Sequence, residues 1–213
     1  ITTHPSFFIA TFIAAMRKKL IVFPINFRIP QSEIENKLKE IKATHTFTEP
    51  ILYNPEIQSQ NAPTFSYDLE TKLTYLLTSG TTSKPKVCVH SLSNHYHNAL
   101  SSNSALCYQK EDSWLLSMPL FHVSGISLIF RTLLAKATLT LPTNDLQNDL
   151  TTFPITHLSC VNTQLLRLID KPNYLQKLKV ILLGGEPPSS FLIQKAKKLD
   201  LPLHLTYGLT EMA

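Results

Sequence analysis

Charge is thin in this 213-residue chain: Asp, Glu, Lys and Arg make up 16% of it, against 43% apolar residues. That balance points to much buried sheet, in one sizeable core or two lobes. Cysteine is rarer still. Cys88, Cys107 and Cys160 are odd in number and widely spaced, which indicates neither a disulfide framework nor a zinc site. His95 and His97 have no further partner at ligand spacing and read as helix surface. Long apolar runs are missing: residues 6–16 form a stretch of only eleven, too short to span a bilayer. The positive charges Arg17, Lys18 and Lys19 follow that stretch, the reverse of a signal peptide. No membrane insertion and a cytoplasmic location are therefore expected. The net charge of +5 comes from scattered basic residues, densest at 17–19 and 195–198, with no aromatic–basic groove. A solvated helix face accounts for it better than a nucleic-acid partner. No internal repeat is visible.

Glycine is scarce, five residues in all. Gly80 lies in the segment 78–87, Thr-Ser-Gly-Thr-Thr-Ser-Lys-Pro-Lys-Val, a turn between the apolar runs 73–77 and 87–89. Thr78, Ser79, Gly80, Thr81, Thr82 and Lys86 offer backbone N–H groups, hydroxyls and an ammonium to one small volume, as a polyphosphate requires. The spacing is not that of the P-loop, because no second glycine follows Gly80 and no hydroxyl follows Lys86. A Ser/Thr-rich surface turn is the plainer alternative.

Two further segments carry chemistry. Residues 207–211 read Tyr-Gly-Leu-Thr-Glu after an alternating strand pattern at 203–206. An aromatic face, a hydroxyl and a carboxylate on one turn can stack on a purine, bond a phosphate and hold Mg2+. Residues 180–190 form an apolar run ending in Gly184, Gly185 and Glu186, a buried parallel strand whose exit lets a ligand approach the backbone. Ser189 or Ser190 then caps the following helix, whose start Pro187 and Pro188 sharpen.

Taken in this order, the three segments resemble the adenylate-forming superfamily of acyl-CoA synthetases, luciferases and peptide-synthetase adenylation domains. Ser83 and Val87 depart from it, standing where the family's phosphate loop has glycines. If position 83 needs a left-handed backbone, serine costs about 1–2 kcal/mol there. The resemblance implies that Thr78, Ser79, Thr81, Thr82 and Lys86 hold the β- and γ-phosphates of ATP. It places Gly184, Gly185 and Glu186 beside the adenine and acyl pocket and Tyr207 against adenine, with Gly208 among the cofactor-binding residues. Thr210 then contacts the α-phosphate and Glu211 binds Mg2+, with Thr82 a weaker metal candidate. Carboxylate and ATP would give an acyl-adenylate and pyrophosphate, and the thiolate of coenzyme A would displace AMP. Thr210, Glu211, His122 and Lys86 are the catalytic candidates; no protein nucleophile is required.

The acid activated is read from residues 116–132. Pro119 ends a strand, His122 sits at the turn, and Ser124 or Gly125 opens a largely apolar helix. By resemblance His122 gates the acyl pocket, with Ser124, Gly125 and Thr163 beside the substrate; a packed histidine is the alternative. Arg131 stands among Ile126, Leu128, Ile129, Phe130, Leu133 and Leu134, where an unpaired guanidinium is costly. Either its head snorkels to water, or its fork grips a second carboxylate on the substrate. With Thr163, Gln164 and Leu165 downstream, this run resembles the o-succinylbenzoate–CoA ligases of menaquinone synthesis. That implies a dicarboxylate substrate, o-succinylbenzoate, whose aromatic carboxylate Arg131 recognises. Another aryl- or acyl-CoA ligase, or a nucleotide-binding protein without turnover, are the alternatives.

The pattern predicts helices over 6–18, 31–43 with Ser32 as cap, 92–106, 124–134, 145–151, 163–170 and 190–198. Strands are expected over 20–23, 46–48, 73–77, 86–89, 113–117, 137–141, 156–161, 180–183 and 203–206, with 49–71 a connecting loop. The fold class is α/β, largely parallel sheets flanked by helices. By resemblance, 1–213 is an incomplete large N-terminal domain that binds ATP and acyl group. The family's small C-terminal domain would follow it, so the chain alone is expected to be inactive. A homodimer stays open.

Overall fold

The computed structural model describes residues 4–26, 28–47, 66, 68–78, 86–143 and 145–212. They fall into two units, 1–93 and 94–213. In the first, α1 (Pro5–Arg17) starts on a proline and buries Phe12, and α2 (Gln31–Glu40) buries Ile34. Strands β1 (Lys72–Leu77) and β2 (Val87–Ser91) pair as an antiparallel hairpin, with Tyr75 opposite Val89 and Leu77 opposite Val87. Leu73, Thr74 and Leu76 of β1 are buried.

Several local expectations are corrected in this unit. The strand expected over 20–23 is reduced to a single parallel bridge from Val22 to Thr74. Pro24, two residues on, has no N–H to extend that ladder. Residues 46 and 47 form no strand, and 48 lies outside the described residues. Pro30 occupies the cap of α2 without a side-chain bond, so Ser32 lies inside the first turn. The helix stops at Glu40 rather than 43 because Lys42 turns left-handed, φ 53°, while the Ala43 N–H donates back to the Leu38 carbonyl.

The second unit is the parallel sheet that the sequence pattern predicts. Its strands are β3 (Ser113–Leu115), β4 (Thr138–Thr140), β5 (His157–Cys160), β6 (Val180–Leu183) and β7 (Leu203–Leu205). They lie in the order β4–β3–β5–β6–β7 with every pairing parallel. The helices α3 (Leu92–Ala105), α4 (Val123–Ala135), α5 (Leu146–Thr152), α6 (Asn162–Leu168) and α7 (Ser190–Lys198) complete the alternation. Side chains alternate across a strand, and the two faces divide accordingly. Leu115, Leu158, Cys160, Ile181 and Leu183 join Leu150, Leu165, Leu168, Leu192 and Ala196 of α5, α6 and α7 in one apolar core. The other face carries Trp114, His157 and Ser159, and meets α4 through Arg131.

Helix ends follow the physics of capping unevenly. Asp145 caps α5 by accepting the N–H groups of Gln147 and Asn148 at 3.0 and 3.1 Å. Ser189 sits at the cap of α7 without making that bond. Two short 3-10 turns, Pro172–Tyr174 and Thr210–Met212, carry no periodic signal and were not expected. His95 corrects the helix-surface reading: it is buried, its ring stacked on Phe130 with centroids 4.9 Å apart, whereas His97 is exposed. Residues two apart on a helix point away from each other, so one of such a pair commonly faces the core. Among the described residues, no helix is long and apolar enough to cross a membrane.

Candidate active site

The strand order reverses between β3 and β5: the chain moves to β4 on one side, then returns and builds β6 and β7 on the other. In open α/β sheets, ligands lodge outside the carboxyl ends of strands at such a switch point. Of the candidate residues in 94–213, all but Arg131 lie on segments that leave the strands at this edge.

From β3, the chain passes Leu116 and Ser117, whose hydroxyl donates to the Ser159 carbonyl of the neighbouring strand. It then turns at Pro119, whose carbonyl accepts the His122 N–H at 3.1 Å. His122, not Ser124 or Gly125, holds the cap position of α4, and Val123 opens the helix. Ser124 and Gly125 lie in its first turn. Gly125 is required by contact, since a Cβ there would stand 2.2 Å from the Pro119 oxygen. The His122 side chain is exposed, yet its ring lies 4.7 Å from that of Phe121, and desolvation draws its pKa below the ordinary histidine value. At neutral pH it is an uncharged imidazole, fit to donate or accept one hydrogen bond.

From β5, the Val161 N–H is accepted by the Gln164 side chain at 3.0 Å, and Thr163 is exposed in the first turn of α6. Asn162 donates to the Pro187 carbonyl at 2.9 Å, tying this exit to that of β6. There Gly185 takes φ 87°, a conformation that a side chain resists, and Glu186 is exposed. From β7, the Thr206 N–H donates to the Leu183 carbonyl at 2.9 Å. Tyr207 follows, 84% exposed, then Gly208, with Thr210 and Glu211 in the closing 3-10 turn. An exposed ring, a hydroxyl and an exposed carboxylate thus succeed one another in five residues. The thiol at the end of β5, Cys160, is buried, and burial pushes its pKa up to about 12, so it stays protonated and is no nucleophile.

Arg131 lies two turns further along α4, away from His122 and Gly125. It is half-buried, and desolvation pulls its pKa down to about 10. Among the described residues its guanidinium meets no carboxylate, and its Nε is sealed from solvent without a hydrogen-bond partner.

Of the phosphate loop, Ser79, Gly80, Thr81 and Thr82 lie outside the described residues, as does Ser83. Thr78 and Lys86 flank them in the first unit and close the β-hairpin: the Thr78 N–H donates to the Lys86 carbonyl at 2.9 Å, and the Lys86 N–H to the Thr78 hydroxyl at 3.3 Å. Lys86 itself is exposed, and Val87 begins β2.

Reading the sequence missed Trp114, Ser117, Ser159 and Asn162. Trp114, the single tryptophan, was the available signal, but nothing in a three-residue strand says which helix its ring will face.

Residues 56–213 match the family model described as AMP-binding enzyme. The 2-succinylbenzoate–CoA ligase of Haemophilus influenzae is 34% identical over 95% of this chain and 45% of its own length. That of Bacillus pumilus is 29% identical over 88% of this chain and 43% of its own. Among solved structures, an arginine-to-lysine variant of E. coli MenE with bound OSB-AMS superposes with a TM-score of 0.79 at 30% identity, covering 94% of this chain and 46% of that one. The chain thus spans a little under half the length of these relatives. The match covers the carboxyl-edge segments and the hairpin alike, and the resemblance drawn from the sequence is borne out: the chain belongs to the AMP-binding enzyme family.

Proposed function

We propose that the protein containing this chain activates a dicarboxylic acid, o-succinylbenzoate, as its acyl-adenylate and passes the acyl group to coenzyme A. The observation that carries the substrate is Arg131, a half-buried guanidinium with no acid beside it among the described residues. Fatty acids bring only the carboxylate that reacts, whereas a second carboxylate gives this cation a bidentate partner. The names of the relatives above point to the same acid.

In this reading the chain positions and neutralises; it supplies no nucleophile. Tyr207 offers its open face to adenine, and Thr210 meets the α-phosphate. The hydroxyls of 78–82 and the Lys86 ammonium take the outer phosphates. His122 stays neutral and borders the acyl group, which Gly125 leaves room to enter by keeping the turn at Pro119 tight. No three His, Cys, Asp or Glu side chains cluster around a common point among the described residues. Glu211 therefore offers a single exposed carboxylate, which fits Mg2+ bound mainly by phosphate and water. When bound, that ion would offset charge on the phosphates. The chain forms part of the ATP- and acyl-binding domain.

The test is AMP release by a protein of the relatives' full length that contains this chain, supplied with ATP, Mg2+ and coenzyme A. Preference for o-succinylbenzoate over benzoate, succinate and a medium-chain fatty acid is expected. Equal or greater activity on another of these acids would overturn the substrate, and ATP binding without AMP release on any would overturn the ligase reading.

A further inference from the structure

We infer that Trp114 is a positioning residue: its indole holds the Arg131 guanidinium ready for a ligand carboxylate, and Ser159 fixes the indole for that task. The inference rests on the reading that Arg131 receives the second carboxylate of the substrate.

The Arg131 guanidinium carbon lies 5.2 Å from the centroid of the Trp114 ring, within reach of a cation–π attraction. Its charge has no other partner among the described residues. A π face engages the charge of a guanidinium without occupying any of its five N–H donors. An aspartate or glutamate at the same place would both consume those donors and neutralise the cation, in competition with an incoming carboxylate. The indole therefore stabilises a desolvated cation while leaving its fork for a ligand.

The platform is itself fixed. Trp114 is fully buried, and its Nε1–H donates to the Ser159 hydroxyl at 3.1 Å. Tyr108 and His157 pack on it with ring centroids 5.0 Å away in each case. The Ser159 carbonyl accepts from Ser117 at the exit of β3, so the indole is anchored to the carboxyl edge on both strands flanking the switch point. Cα–Cβ bonds in a helix tilt toward its N-terminus. The Arg131 side chain accordingly covers the turn nearer His122, not the one beyond it.

The competing account is that Trp114 merely fills the core, in which case its replacement weakens every ligand alike or none. Two acids separate the accounts: o-succinylbenzoate, and 3-benzoylpropionate, which lacks only the ring carboxylate. Affinities of a protein of the relatives' full length that contains this chain are measured for each acid by calorimetry, and the ratio of the two is the readout. Trp114→Phe keeps an aromatic of weaker cation–π strength and is expected to lower the ratio about tenfold. Ser159→Ala frees the indole and is expected to lower it about threefold. In both, 3-benzoylpropionate should bind as in the parent. Unchanged ratios in both variants, or equal losses for both acids, would overturn the assignment. Should Trp114→Phe fail to fold, the Ser159→Ala ratio decides alone. Arg131→Gln distinguishes the two layers. If it leaves the ratio intact, the second-carboxylate reading falls and this assignment with it. If it collapses the ratio while the Trp114 and Ser159 variants do not, only the assignment falls.

Discussion

The Lys179 ammonium donates to the Asp112 carboxylate at 2.6 Å, joining the residue before β3 to the residue before β6 across the intervening β5. Asp112 is buried and also accepts the Gln109 N–H at 3.0 Å, while Lys179 is largely exposed. Burial raises the Asp112 pKa, but the bonds from Lys179 and Gln109 and the positive surroundings outweigh it and set the pKa below the usual value. A carboxyl with a depressed folded pKa stabilises above its unfolded pKa and loses that contribution as pH falls below about 4. Lys179→Ala is expected to cost about 1–2 kcal/mol at pH 7, the low end because one partner is solvated. The gap between the thermal melts of parent and variant should narrow progressively as pH falls below about 4; a gap that stays constant over that range would refute the pairing.

A second titration acts nearer neutrality. His157 is buried, its Nδ1 2.8 Å from the Thr156 hydroxyl. Desolvation lowers its pKa, and the neighbouring Asp112 only partly restores it. The folded state therefore binds the proton less readily than the unfolded chain. Stability is full above about pH 6.5 and declines as pH falls below it. His157→Gln should flatten the slope of melting temperature between pH 7.5 and 5.5. A slope as steep as the parent's would place that proton uptake elsewhere.

These two groups also show what the sequence could and could not say. The parallel sheet and its helices were legible, because runs such as 180–183 bounded by Gly184 and Gly185 leave few other solutions. The carboxyl-edge residues were legible as motifs for the same reason: each follows a strand. Partnerships across the sheet were not. Asp112 and Lys179 are 67 residues apart, and no local pattern pairs them. Orientation was the other blind spot. His95 read as helix surface because no further ligand stood at metal-binding spacing, yet Phe130 gives its ring a stacking partner from another helix. The antiparallel β1–β2 hairpin was hidden because the apolar runs 73–77 and 87–89 have no directional mark.

Glycine at the start of α4 can be tested against glycine at the end of the chain. A Cβ on Gly125 would meet the Pro119 carbonyl oxygen at 2.2 Å, and that oxygen is backbone, so either the turn or the helix must shift. Gly208 has nothing within 4 Å of its would-be Cβ. Gly125→Ala is expected to destabilise by about 2–3 kcal/mol, in the range for overpacking a tight site. Gly208→Ala should stay within about 0.5 kcal/mol, as for a surface change. Denaturant melts of the two variants check this, and equal losses would contradict the geometry.

Arg131 sets function against stability. A half-buried cation without an acid partner carries a desolvation cost that the Trp114 face only partly offsets. Arg131→Met keeps an aliphatic side chain of similar length and removes the charge that lies over Trp114. Replacing poorly compensated buried charge by an apolar side chain is neutral or stabilising, here by about 0–2 kcal/mol. The same change should lower affinity for o-succinylbenzoate by about 3–5 kcal/mol if a desolvated carboxylate pairs with this residue. Melting temperature and calorimetric affinity, measured on one preparation, decide the matter together. A residue that served the fold alone would lose stability and keep the ligand. One retained for recognition loses the ligand and keeps, or gains, stability.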